Sequence, residues 1–190
     1  MRDCGADPPK RRSWRIPACN QGNLRPFERT LFSLAIDSKL RGCDVVSIKV
    51  EDIAPHGTAV PRSGVRQRKT GHTVRFELTE QTRKAVDDYL RAFGRRPGDL
   101  LSPSRRHKDR CITTRHYARL VSDWIASIGL DPIFFGTHSL RRTKVTLIYR
   151  RTGNLRAVQL LLGHTKIEST VRSLGIEVDD ALAIAEQVDV

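Results

Sequence analysis

At 190 residues the chain can bury a core of ordinary domain size without disulfides or a structural metal. Lysine and arginine number 34 against 21 acidic residues, a formal charge of +13, which points to a polyphosphate partner with nucleic acid first among the candidates. Cys4, Cys19, Cys43 and Cys111 lie far apart with no C-x-x-C pair, and no apolar run nears bilayer-spanning length; this argues against a zinc site, a disulfide framework and a membrane protein, and fits a reducing cytoplasm.

Residues 1–23 combine Pro8, Pro9, Lys10, Arg11, Arg12 and Pro17 with little apolar periodicity and read as a flexible basic arm. From Pro26 the apolar set Phe27, Leu31, Leu34 and Ala35 recurs at helical spacing, predicting a helix to about Lys39, after which Leu40-Arg41-Gly42 turns the chain. A Val45-Val46-Ser47-Ile48 helix and a strand entry at Glu51-Asp52-Ile53 are expected next. Alternation from about Thr58 to Leu78, broken at Thr70-Gly71, predicts a β-hairpin or a three-stranded meander. Thr79 suits the cap of a helix that Gly94 ends, and the Pro, Ser, Arg and Gly-rich stretch from Arg95 to Cys111 reads as a loop. Thr113 or Thr114 opens a further helix with Tyr117, Leu120, Val121, Trp124 and Ile125 on its apolar face, closing at Gly129. Helices follow at Ser139 to Thr152, Leu155 to Leu162 with Asn154 as cap, about Lys166 to Leu174, and finally about 178–187. The fold class is therefore α+β, mainly α-helical with one small antiparallel β-sheet.

The basic excess is clustered. Residues 61–76 carry Arg62, Arg66, Arg68, Lys69 and Arg75 without an acid, and 141–156 carry Arg141, Arg142, Lys144, Arg150, Arg151 and Arg156 without one, so both read as phosphate-facing surface. Beyond Arg172 there are no bases, only Glu177, Asp179, Asp180, Glu186 and Asp189, and this acidic end is expected to seek protein rather than nucleic acid.

Cleaving a phosphodiester without metal requires an attacking hydroxyl, a proton donor for the departing oxygen, and fixed cations around phosphorus, for which the planar fork of arginine is well suited. His138 and Arg141, three apart at a helix start, can address one phosphate, and His164 follows a glycine-stopped helix. Each piece alone has an ordinary reading: a chance H-x-x-R, a dipole-friendly helix-end histidine, a solvated hairpin lysine, a capping arginine.

Taken in order, Leu40-Arg41, Lys69-Thr70-Gly71, Thr137-His138-Ser139-Leu140-Arg141-Arg142 and Leu161-Leu162-Gly163-His164 resemble the tyrosine recombinases, or phage-type integrases, over about residues 24–187. The resemblance implies a recombinase catalytic domain that acts on double-stranded DNA through a 3′-phosphotyrosine intermediate, with no metal or other cofactor. By it, Arg41, Arg141 and His164 stabilise the phosphorane, His138 assists proton transfer from the nucleophile, and Lys69 protonates the leaving 5′ oxygen. Arg66, Arg68, Arg142, Lys144 and Arg172 are the expected DNA contacts. The acidic helix near 178–187 is expected to dock on a neighbouring subunit, giving a homo-oligomer on DNA. The Leu-Leu-Gly-His context and the length favour a recombinase over a type IB topoisomerase, which uses closely related residues.

Two departures stand out. The nucleophilic tyrosine is expected nine residues after His164, where this chain has Ser173, whose hydroxyl is far less acidic than a phenol and whose side chain is shorter. This implies a cleavage-deficient recombinase, or alternatively a non-catalytic DNA-binding regulator of a mobile element. Tyr149 faces either core or DNA, the core being the commoner place for it. Second, only the basic arm precedes the matching region where relatives carry a helical clamp domain, so DNA binding is expected to be weaker or shared among subunits.

Overall fold

The computed structural model describes residues 24–107 and 109–175. The arm expected over 1–23 and the acidic helix expected over 178–187 lie outside them. The described chain is mainly helical with one two-stranded antiparallel sheet: α1 (Pro26–Ser38), α2 (Gly42–Val46), α3 (Val50–Ile53), β1 (Arg62–Arg66), β2 (Thr73–Glu77), α4 (Glu80–Phe93), α5 (Thr114–Ser127), a 3₁₀ turn (Pro132–Phe134), α6 (Thr137–Thr152), α7 (Leu155–Leu162) and α8 (Ile167–Leu174).

Local chemistry sets most boundaries. Pro26 occupies the first turn of α1, where its missing N–H costs nothing. Side-chain oxygens of Thr79, Thr113 and Asn154 accept the backbone N–H of Thr82, His116 and Ala157 and so start α4, α5 and α7. The hairpin pairs Arg62 with Glu77 and Val65 with Val74, and it turns Val65, Val74 and Phe76 inward while its arginines face out. It has two strands rather than three. Glu51 to Ile53 belong to the helical turn α3 and not to a strand entry, because the Asp52 carboxylate accepts the backbone N–H of Lys49 at 2.8 Å and stabilises a helix start there. Helix α6 begins at Thr137, two residues before the expected Ser139.

Two clusters of buried side chains make up the interior. The larger gathers α1 to α5 and the hairpin, with Phe32 edge-on to Trp124 at 5.5 Å. The smaller holds Val145, Val158, Leu162 and Leu174 of α6, α7 and α8, with Tyr149 packed against it. Helix α6 spans both, placing Leu140 in the first cluster and Val145 in the second, and so carries the residues between them to the junction.

Asp37 ties three elements together at the end of α1. Its carboxylate accepts the N–H and hydroxyl of Thr79, each at 2.8 Å, and the ammonium of Lys144 on α6, also at 2.8 Å. Burial alone would raise its pKa, but the hydrogen bonds from Lys144, Thr82 and Thr79 outweigh that and hold it below the ordinary carboxylate value. Lys39, the next residue but one, is buried in a left-handed conformation and donates to the Asp37 carbonyl at 2.7 Å; burial and, secondarily, the Lys144 charge push it down to about 8. Asp37→Ala strands Lys144 and the Thr79 N–H, and is expected to cost about 3 kcal/mol in a denaturant-unfolding measurement. A loss under about 1 kcal/mol, the range of an exposed pair, would contradict this account.

Candidate active site

The site forms where the hairpin turn, the start of α2, helix α6 and the α7–α8 connection meet. Helix α7 stops at Gly163, which has φ +64. A Cβ there would stand 2.4 Å from Val74 Cγ2 and 3.3 Å from Gln67 Nε2, so the bare glycine admits β2 and the hairpin turn against the chain. The preceding carbonyl, Leu162 O, is thereby reached from two sides. Arg141 Nη2 donates to it at 2.8 Å and Gln67 Nε2 at 3.4 Å.

His164 lies immediately beyond. Its Nε2 is 3.3 Å from Arg141 Nη2 and its Nδ1 is 3.1 Å from the Thr170 hydroxyl on α8. A guanidinium can only donate, so Nε2 accepts, and the proton rests on Nδ1 and is given to Thr170. Burial first, then the charges of Arg141 and Arg41, push the imidazole down to about 4, which makes it neutral at physiological pH. Arg141 is itself buried and is pushed down to about 10 by burial and by Arg41, with Asp44 acting in the other direction. Two guanidinium groups thus sit close enough to oppose each other's charge in a partly desolvated place, an arrangement that an incoming anion would relieve.

Arg41, at the N-cap of α2, donates Nη1 to Gln67 Oε1 at 2.5 Å. One helical turn on, buried Asp44 accepts the N–H of Arg68 at 2.9 Å, so the hairpin turn is fastened to α2 at two points. Lys69 is exposed on that turn. His138 is exposed on the first turn of α6, next to Thr137, whose Cβ is 3.7 Å from a Cβ placed on Gly42; the starts of α2 and α6 therefore adjoin. Ser173 lies on α8 three residues after Thr170, one turn along the same face, and its hydroxyl donates to Ser169 O at 2.7 Å.

The structure therefore joins Arg41, Arg141 and His164 in one hydrogen-bonded group through Gln67 and Leu162 O, with Lys69 on the adjoining turn. Among the expected DNA contacts, Arg66, Arg68 and Arg172 are exposed and Arg142 is half-buried. Arg66 also braces the turn through Nε to Gly71 O at 3.0 Å. Lys144 points elsewhere, pairing with Asp37 at 2.8 Å and Glu77 at 3.8 Å. Sequence reasoning passed over Gln67, Asp44 and Thr170. Gln67 and Asp44 each carried a signal in retrospect: a polar residue where the hairpin alternation turns inward, and an acid in an apolar turn. Among the described residues, no three His, Cys, Asp or Glu side chains cluster as a metal site would require, and no helix is long and apolar enough to cross a membrane.

The family model described as the phage integrase family matches residues 16–173. The chain belongs to the phage integrase family. It is 27% identical over 155 residues to Probable integrase/recombinase YoeC of Bacillus subtilis (strain 168), covering 80% of each chain. It is 25% identical over 152 residues to tyrosine recombinase XerD of Vibrio vulnificus (strain YJ016), covering 75% of this chain and 47% of XerD, so this integrase-family chain spans about half the length of that relative. In fold it is similar to XerA recombinase, with a TM-score of 0.70 at 19% identity over 89% of this chain and 60% of XerA. It is also similar to the XerH site-specific recombinase in a pre-cleavage complex with its difH substrate, with a TM-score of 0.67 at 18% identity over 90% of this chain and 48% of XerH.

The geometry makes a pH prediction for this integrase-family domain. A histidine held near 4 when folded and near 6.5 when unfolded leaves the unfolded chain binding more protons between those values, so stability falls as pH drops from about 6.5 towards 4. NMR titration is expected to place the His164 imidazole near 4 and to show it rising towards 6.5 in Arg141→Ala. An unshifted histidine in both proteins would contradict the contact.

Proposed function

We propose that this chain is the catalytic domain of a site-specific DNA recombinase or integrase that works by metal-free strand cleavage and rejoining, and that it is cleavage-deficient as it stands because Ser173 occupies the place of the nucleophilic tyrosine. The single observation that carries the reading is the convergence of Arg41, Arg141 and His164 around Leu162 O and Gln67.

In this reading a scissile phosphate enters between the two guanidinium groups, whose N–H groups not held by Gln67 and Leu162 O make charge-assisted contacts to it. His164, with Nδ1–H held by Thr170, turns Nε2 towards a phosphoryl oxygen, and the anion raises its affinity for a proton. Lys69 on its exposed turn protonates the departing 5′ oxygen, and His138 at the start of α6 assists the nucleophile. Exposed Arg66, Arg68 and Arg172, with Arg142, supply phosphate contacts to either side of the scissile bond. Lys144 takes no part, since Asp37 engages it. The basic segment over 1–23 and the acidic segment over 178–187 lie outside the described residues; in this reading the latter is the subunit contact of a homo-oligomer on DNA. The relatives support the substrate class: XerH is described bound to difH substrate, and the Tn1549 transposon integrase in complex with transposon right end DNA.

Ser173 also favours a second reading, that of a non-catalytic DNA-binding regulator of a mobile element. Its hydroxyl donates to Ser169 O within its own helix, and it is Thr170 of that helix, not Ser173, whose side chain meets the His164 ring. One pair of proteins separates the readings. Ser173→Tyr is expected to form a covalent adduct with duplex DNA that carries the flanking repeats of the encoding element, and adding Arg141→Ala is expected to lower its yield by at least a hundredfold, on the order of one lost transition-state contact. Salt-sensitive binding with no adduct in Ser173→Tyr would favour the regulator.

A further inference from the structure

Gln67 follows Ser63 and Val65 on the inward phase of the first hairpin strand, one residue past β1, and is only 1% exposed. The inward phase of a strand ordinarily takes an apolar side chain, whereas a buried amide must satisfy both its donor and its acceptor. Oε1 takes the Arg41 guanidinium at 2.5 Å and the Thr70 hydroxyl at 2.9 Å, filling its two lone pairs. Nε2 reaches Leu162 O, the carbonyl that also receives Arg141. The main chain of the same residue closes the turn that carries Lys69, with Gln67 N to His72 O at 2.9 Å and Gly71 N to Gln67 O at 2.8 Å.

Resting on the functional reading above, we infer that Gln67 is a positioning residue, which holds Arg41 and the Lys69 turn in register with Arg141 and His164 around one phosphate. The neutrality of the amide is central to this role. A carboxylate at this place would bind Arg41 as an ion pair and spend its charge before any phosphate arrived. An apolar group would leave Arg41 and Thr70 without their acceptor. The amide fixes one N–H of Arg41 and leaves the full positive charge and the rest of the fork for an anion.

The test compares the unsubstituted chain with Gln67→Glu and Gln67→Met by thermal midpoint, by the NMR signals of the Arg41 guanidinium, and by affinity for a short duplex DNA across a salt series. Gln67→Glu, in which the Arg41 ion pair offsets the lost donor to Leu162 O, is expected to lose little in midpoint and to keep an ordered Arg41 signal, yet bind duplex about tenfold more weakly and with a salt slope shallower by about one. Gln67→Met is expected to lose the ordered Arg41 signal along with a similar share of affinity. A purely structural role predicts that affinity follows the midpoint, so a Gln67→Glu protein that binds as tightly as the unsubstituted one overturns the inference. An Arg41 signal unchanged in Gln67→Met overturns it as well. If the unsubstituted chain has no measurable affinity for duplex, the functional reading fails and Gln67 positions nothing for phosphate; the Arg41 signal then reports only a structural anchor.

Discussion

The bare backbone at Gly163 is the constraint on which the rest of the site depends. With φ at +64 and the place of a Cβ only 2.4 Å from Val74 Cγ2, this position ends α7 and simultaneously lets the hairpin press against it. That contact brings Gln67 within reach of Leu162 O and leaves His164 at the edge of the same turn, facing Arg141. The arginine of α6, the arginine of α2 and the histidine beyond α7 belong to three elements far apart in sequence, and a single turn sets their mutual distance.

The resulting cluster is electrostatically uncomfortable by itself. Arg141 is buried beside another guanidinium, and His164 gives up its charge in their company. Asp44 and the neutral oxygens of Gln67 and Leu162 offset only part of the desolvation. In the proposed function the remaining cost is the source of affinity, because an anion restores what burial removed. At the C-terminal end of α1, Asp37 provides a contrast: there a buried carboxylate is matched by Lys144 and the Thr79 cap, and the charges serve to fasten α1, α4 and α6.

Legibility in the sequence followed the range of the interactions. Helix caps such as Thr79, Thr113 and Asn154 and the stop at Gly163 are local hydrogen bonds and backbone preferences, and they were readable from a few neighbouring residues. Arg41, Lys69, Arg141 and His164 are singled out by chemical type and order, although the link of Arg41, Arg141 and His164 through Gln67 and Leu162 O needs coordinates. Gln67 and Thr170 went unnoticed because their roles lie in partners distant in space, Leu162 and Arg41 for the one and the His164 imidazole for the other. Lys144 read as a phosphate contact within a run of bases because its partner, Asp37, stands 107 positions away. The strand entry expected at Glu51 to Ile53 failed for a local reason, since an Asp52 side chain that accepts the Lys49 N–H favours a helical turn over extended chain.

The central claim is that Arg41, Arg141 and His164 serve a single phosphate. An NMR titration that follows these three side chains as short duplex DNA is added tests it most directly. The account predicts that their signals move together along one binding curve, with the His164 imidazole gaining protons at a higher pH than the value of about 4 it has in the free protein. Separate curves for the three, or shifts confined to exposed Arg66, Arg68 and Arg172, would contradict it.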